Sequence, residues 1–266
     1  MKLTFLGTGG GRFCMMKQLR QTGGFLLEHN DFHMYVDPGP GALVHGLKNG
    51  VDFEDIGHLF CSHDHLDHYG DLAAVIEATT NGCTEECGTL IAPESVLGLN
   101  EYDSVLQDYH LDCTESKVRA AEGEEFNPSS HEEISLSFFE TRHKDTPTAG
   151  FRLETEESSL SYIPDTGFFE GLIEEVRGSD FLVINTMRPY DKPWEDHLNL
   201  KEGAEIVRKV EPERAIFQHF GISFVYNFGA QKKWLEENYE KDNIVLASDN
   251  KTYNLGENGG LERFVD

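Results

Sequence analysis

Short apolar runs recur along the chain, bounded by glycine, proline or asparagine, and they alternate with longer amphipathic stretches. Residues 2–6 alternate like a strand, and Gly7-Thr8-Gly9-Gly10-Gly11 breaks them. Residues 24–29 and Phe32–Val36 read as a hairpin about Glu28-His29-Asn30-Asp31, ended by Asp37-Pro38-Gly39-Pro40-Gly41, after which residues 42–47 begin a short helix. Further strands are predicted at 58–61, 88–92, 134–139, 150–153, Ser159–Ile163, 181–184, 215–217 and Ile244–Leu246. Helices are predicted over 71–80, 94–109, 168–176, Leu200–Val210 and 229–239, with an acidic loop over 115–128 and a polar end. Strands alternating with helices argue an α/β fold. No linker or repeat divides the chain, so one domain over 1–266 is expected.

One stretch does not fit a core element. Cys61-Ser62-His63-Asp64-His65-Leu66-Asp67-His68-Tyr69-Gly70 packs three histidines and two aspartates into six positions, between a strand-like run and a helix. His63 and His65 can point the same way from extended backbone, while Asp67 and His68 fall at the turn into the helix. Imidazole and carboxylate are the ligands that zinc and similar cations take. The plainer alternative is a solvated loop with Asp67 capping the next helix. His-x-His-x-Asp-His after a strand favours the metal reading.

Composition narrows the setting. With 38% hydrophobic and 11% aromatic residues the chain suits a soluble globular protein, and no apolar run approaches the ~20 residues of a membrane span. Its opening residues do not read as a signal peptide, so a cytoplasmic location is expected. The five cysteines are sparse and odd in number, which argues against a disulfide framework. Cys83, Cys87 and Cys113 could form a further metal site, but reduced thiols are the simpler expectation. The net charge of −26, from 22 basic and 48 acidic residues, repels nucleic acid and anionic membranes. Against it Arg12, Lys17 and Arg20 form a small basic group that either meets an anionic substrate or is ordinary solvated charge. The opening glycines invite a nucleotide-binding reading, but no paired acidic residue supports it.

The His63–His68 motif resembles the signature of the metallo-β-lactamase superfamily of hydrolases. That resemblance implies a four-layer αββα sandwich, two mixed β-sheets flanked by helices. It assigns His63, His65 and His143 to one ion and Asp67, His68 and His219 to a second, with Asp165 bridging them. Taken singly, His143 reads as a surface histidine and Asp165 as a cap. Asp37-Pro38-Gly39 resembles the family's loop beneath the metals, where Asp37 could hydrogen-bond a ligand or simply cap its turn.

Two divalent ions lying ~3.5–4 Å apart lower the pKa of water towards ~7 and produce a bridging hydroxide nucleophile. Zinc is the expected metal, although manganese and iron accept the same ligands. Asp67 would orient the nucleophile. His197, in Asp196-His197-Leu198-Asn199, resembles the proton-donating histidine of the ribonuclease Z branch. Arg188 could hold a phosphate or pair with Asp191 or Glu195. The resemblance implies a phosphodiesterase acting on a small or cyclic phosphodiester. The acidic charge and the lack of a glycine- or lysine-rich inserted arm argue against a large nucleic acid, with ribonuclease Z-like RNA cleavage as one alternative. A thioester or lactone hydrolase is the other, and a homodimer is compatible with the chain. A flavin-linked oxygen reductase on this fold would need a flavin domain that is not seen.

Overall fold

The computed structural model describes residues 1–144, 146–239 and 243–256. In chain order its strands are β1 (Lys2–Gly7), β2 (Thr22–His29), β3 (Phe32–Val36), β4 (His58–Phe60), β5 (Thr89–Ala92) and β6 (Ser116–Arg119). There follow β7 (Glu125–Phe126), β8 (Ser135–Glu140), β9 (Ala149–Glu154), β10 (Ser159–Ile163), β11 (Phe181–Asn185), β12 (Arg214–Gln218), β13 (Ile244–Leu246) and β14 (Lys251–Asn254). They build two seven-stranded sheets, ordered β14-β1-β2-β3-β4-β5-β6 and β13-β12-β11-β10-β9-β8-β7. Each sheet is mixed in the same way. Pairing is antiparallel from β14 to β3 and parallel from β3 to β6. It is antiparallel from β7 to β10 and parallel from β10 to β13.

The sheets meet on an apolar interior rich in rings. Phe60 meets Phe151 edge-on with centroids 4.9 Å apart, and Phe25 meets Tyr162 at 5.3 Å. Such pairs add about 1 kcal/mol each beyond their burial. Helices Ala42–Lys48 and Leu72–Thr79 cover the outer face of the first sheet, burying Leu72, Val75 and Ile76 on Tyr35 and Leu59. Helices Glu170–Glu175, Leu200–Val210 and Phe228–Asn238 cover the second, with Ile206 and Val207 on Phe217 and Ile184. The expected four layers are present. Fully buried β10 and β11, each covered on both faces, explain the near-continuous apolar runs that marked them. Parallel pairing turns the C-terminal ends of β3, β4, β10, β11 and β12 towards one edge, where α/β folds carry their chemistry.

Four local expectations are corrected. Residues 94–109 are not one helix: Glu94–Leu97 stops at Gly98, φ +72°, and helix resumes only at Asp108–Asp112. A Cβ at Gly98 would stand 2.6 Å from the Ser104 nitrogen, so the chain folds back tightly there. The acidic loop over 115–128 contains edge strands β6 and β7, whose exposed charged positions hide them from an apolar-run search. The polar end holds β14, paired to β1 with the Thr4 and Thr252 hydroxyls 3.0 Å apart. Gly11–Lys17 is a helix with no local side-chain cap, and its first N–H donates to Asp67 Oδ2, 56 residues away, at 2.6 Å. Among the described residues no helix is long and apolar enough to cross a membrane.

Candidate metal centre

β4 ends at Phe60, and the chain runs on through His63 outside any helix or strand. His65 is the residue before helix Leu66–Tyr69, so Asp67 and His68 occupy its first turns. The other side chains arrive from the second sheet: His143 follows β8, Asp165 follows β10 and His219 follows β12. The structure thus brings all seven sequence-predicted residues to one edge. Their ligand atoms fall into overlapping groups, each within 4.8 Å: His63, His65 and His143; His63, His68 and Asp165; Asp67, His68 and His219. A fourth group joins His143 and Asp165 to His197.

Backbone and buried polar groups fix how these side chains face. Asp37, in left-handed backbone at φ +51°, accepts from Ser62 N at 2.7 Å, Ser62 Oγ at 2.8 Å and Tyr162 Oη at 2.6 Å. Its Oδ2 also stands 2.8 Å from His68 Nδ1, which donates to it and so turns Nε2 towards the cluster. Because Ser62 Oγ donates to Asp37, it accepts from His63 Nδ1 at 3.0 Å, and again Nε2 is left for the cluster. His143 Nδ1 donates to the Asp196 carbonyl at 3.3 Å, turning its Nε2 to within 3.1 Å of His65 Nδ1.

Asp165 Oδ1 accepts from Asn185 Nδ2 at 2.9 Å, and Asn185 Oδ1 in turn accepts from Gln218 Nε2 at 3.0 Å. Those two amides are register partners on β11 and β12. His219 sits at φ +59° with its ring where a Cβ at Gly10 would be, 2.1 Å from a ring carbon, so the opening glycines admit the imidazole. Asp249 holds that glycine turn by accepting from Thr8 N, Thr8 Oγ1 and Gln21 N.

The arrangement fits cations. The Nε2 atoms of His63, His68 and His219 are buried without a hydrogen-bond partner, an unfavourable state for isolated imidazoles. Asp165 adjoins both sides of the cluster: Oδ1 is 3.3 Å from His219 Nε2 and Oδ2 is 3.5 Å from His68 Nε2, while it also shares groups with His63 and with His143. Asp67 Oδ2 is 3.5 Å from His219 Nε2. Burial and the neighbouring His68 push His63 well below the usual imidazole range. Burial also opposes charge on His68, but Asp37, Asp165 and Asp67 overcome it and raise that group well above its ordinary value. Burial works against ionised Asp165 too, yet His219, His197 and His68 hold its pKa well below the usual carboxylate range. Nitrogen and carboxylate donors without thiolate suit zinc, manganese or iron.

His197 lies beside the cluster, with Nδ1 3.4 Å from Asp165 Oδ2 and its ring 5.0 Å from that of His143; burial pushes it down to about 4. Arg188 is half-buried, stacked over Trp194 at 5.0 Å, and donates to the Lys192 carbonyl at 3.3 Å, so neither Asp191 nor Glu195 is the partner found for it. Arg20 is turned into the fold, donating to Thr8 Oγ1 and the Ala247 carbonyl and lying over Phe220 and Phe228. Arg12 and Lys17 are exposed. The thiols of Cys113 and Cys87 donate to the Tyr109 and Thr79 carbonyls, and no group of three metal-capable side chains includes a cysteine among the described residues.

Tyr162, Asn185 and Gln218 escaped sequence reasoning. Asn185 and Gln218 did carry a signal, since each is a polar residue closing an apolar strand.

The β-lactamase superfamily domain, as a family, matches residues 33–220, a span that holds all seven clustered residues. An uncharacterized protein of Methanocaldococcus jannaschii is 33% identical over 228 residues, 84% of each chain. Ribonuclease Z of Methanopyrus kandleri is 24% identical over 159 residues, 58% of this chain and 50% of that one. Among solved structures, the metallo-β-lactamase fold protein YhfI from Bacillus subtilis aligns with a TM-score of 0.74 at 17% identity, over 95% of this chain and 98% of its own. With the family matched across most of its length and the fold shared, the chain belongs to the metallo-β-lactamase superfamily and is a metal-dependent hydrolase.

Proposed function

We propose that this hydrolase is a dinuclear phosphodiesterase acting on a small or cyclic phosphodiester. The observation that carries the reading is Asp165, which contacts His68 and His219 on one side and shares ligand-distance groups with His63 and with His143 on the other. His63, His65 and His143 would hold one ion, Asp67, His68 and His219 the other, and Asp165 both. Zinc is the metal expected, with manganese or iron as substitutes. Bound ions would supply an activated water at neutral pH and offset charge developing on a phosphoryl oxygen.

The chain's own groups do the rest. Asp67, anchored by the Gly11 N–H, orients the nucleophile. His197 would give a proton to the leaving oxygen, the Asp165 carboxylate beside its Nδ1 favouring the protonated ring against the burial that lowers its pKa. Asn185 and Asp37 keep the carboxylate and the His68 ring from turning.

The ribonuclease Z relatives support phosphodiester chemistry, and RNA cleavage is the second reading on their account. The net charge of −26 favours the smaller substrate. Hydrolysis of bis(p-nitrophenyl) phosphate, measured beside a thioester, an aliphatic lactone and a tRNA precursor, tests the proposal. Activity on the diester lost in Asp67→Asn and His197→Ala is expected. Thioester or lactone hydrolysis alone would move the assignment to acyl substrates, and cleavage of the RNA alone to an endonuclease.

A further inference from the structure

A large aromatic side chain stands in the open beside the proposed proton donor. Trp194 is 46% exposed and is part of none of the three apolar clusters, whereas the chain's other tryptophan, Trp234, packs on the second sheet's cluster and stacks on Tyr190. The indole meets the His197 ring at 5.3 Å, tilted by 65°, and His197 in turn faces Asp165. The Arg188 guanidinium lies 5.0 Å from the indole centre. Partial exposure is ordinary for a tryptophan; what marks this one is its place against His197 and Arg188 at the rim of the reactive cluster.

The segment carrying it is held firmly. Tyr190 N–H donates to the buried Gln231 Oε1 at 2.9 Å, Lys192 N–H closes a turn onto Pro189, and His197 N–H donates to the Trp194 carbonyl at 3.3 Å. A Cβ at Gly167 would stand 1.8 Å from the Glu195 carbonyl oxygen, so the Asp165–Gly167 turn lies directly against this segment. Trp194 therefore keeps a set position relative to His197 and Asp165.

We infer that Trp194 is a stacking platform that selects substrates bearing a planar aromatic group on the ester oxygen nearest His197. The inference rests on the phosphodiesterase reading and names its substrate class: an aryl ester or a nucleotide, whose shared chemistry is a flat ring linked to an anionic phosphorus. Arg188 adds a cation above the indole, complementary to that anion in an otherwise acidic chain. Stacking tolerates any flat ring, so the platform sets class and not sequence.

The test uses the metal-loaded protein and three non-reacting or product-like ligands: methylphosphonate, 4-nitrophenylphosphonate and adenosine 5′-monophosphate. Each is measured as a competitor of bis(p-nitrophenyl) phosphate hydrolysis. Each is also titrated against the emission of Trp194 in a Trp234→Phe background, a readout independent of turnover. The ring-bearing ligands are expected to bind on the order of 10-fold tighter than methylphosphonate. That preference should vanish in Trp194→Ala and return in Trp194→Phe, with KM moving more than kcat. Tighter binding of the nucleotide than of the aryl phosphonate identifies nucleotide substrates, and the reverse identifies aryl esters. A ring preference that survives Trp194→Ala, or Trp194 emission unchanged at saturating aryl phosphonate, overturns the platform. A protein that hydrolyses no phosphodiester fails the proposed function instead, and the emission titration still decides the platform.

Discussion

At the start of β4, His58 is buried among rings, with Phe32, Phe126 and His131 at 4.5, 5.8 and 6.0 Å. Beyond the other end of the same strand, His63 is buried next to His65, His68 and His143, and Asp165 shares its group. Each has a ring nitrogen buried without a hydrogen-bond partner, Nδ1 in His58 and Nε2 in His63. Burial drives both away from the protonated state, His58 to about 4 and His63 well below its usual range. Their neighbours differ. His58 has aromatic faces and a backbone hydrogen bond to His33, so it serves as a neutral packing ring. Around His63 further imidazoles converge on Asp37, Asp67 and Asp165, which favour positive charge strongly enough to raise His68. Buried histidine alone is thus no sign of a metal; buried histidine with buried, hydrogen-bonded carboxylates is.

The largest effect that can break this contrast lies at the carboxylate end. His63→Ala or Asp165→Asn is expected to cut turnover on the order of 1,000-fold or more, because the ions position and activate the reacting groups together. Steady-state kinetics on metal-reconstituted protein checks it, and a loss below about 10-fold would count against the site.

The His58 end predicts a stability effect of up to about 3 kcal/mol. Its folded pKa is depressed to about 4 from an ordinary 6.5, so the unfolded chain takes up the proton first as pH falls. The stability that neutral His58 contributes is therefore complete above 6.5 and drains away down to about 4. The drop in urea midpoint from pH 7 to pH 4.5 should be smaller in His58→Phe than in the parent. Equal slopes in the two proteins would remove His58 from the account.

A smaller change sharpens the role of the hydrogen-bonded frame. Asp37→Asn keeps the shape but weakens the hold on His68 Nδ1, and metal affinity should drop about 10–100-fold, read by competition with a chelating dye. Arg20→Met gives the smallest effect: about 1–2 kcal/mol of stability from two lost hydrogen bonds, with KM unchanged, measured by denaturation and kinetics. A raised KM there would return Arg20 to the substrate.

Much of this was legible in the residues. The His63–His68 run declares itself because its ligands sit on one strand exit and one helical turn, and local geometry alone converges them. His143, Asp165 and His219 lie on the second sheet and became candidates only through family resemblance, since nothing local distinguishes each from a surface histidine or a cap. The Asp37–His68 pair spans 31 residues and the Tyr162–Asp37 bond 125, distances at which only the packed sheets dictate contact. The broken helix over 94–109 was marked in the chain by Gly98 and Asn100, both with positive φ, which apolar periodicity outweighed. Edge strands β6, β7 and β14 were hidden because strands with exposed charged positions lack the apolar signal.

Metal content tests the central claim most directly. Elemental analysis of the purified, reconstituted protein should return two equivalents of a divalent metal per chain, falling in Asp165→Asn, the residue that faces both halves of the cluster. One equivalent or none in the parent protein would contradict the dinuclear centre.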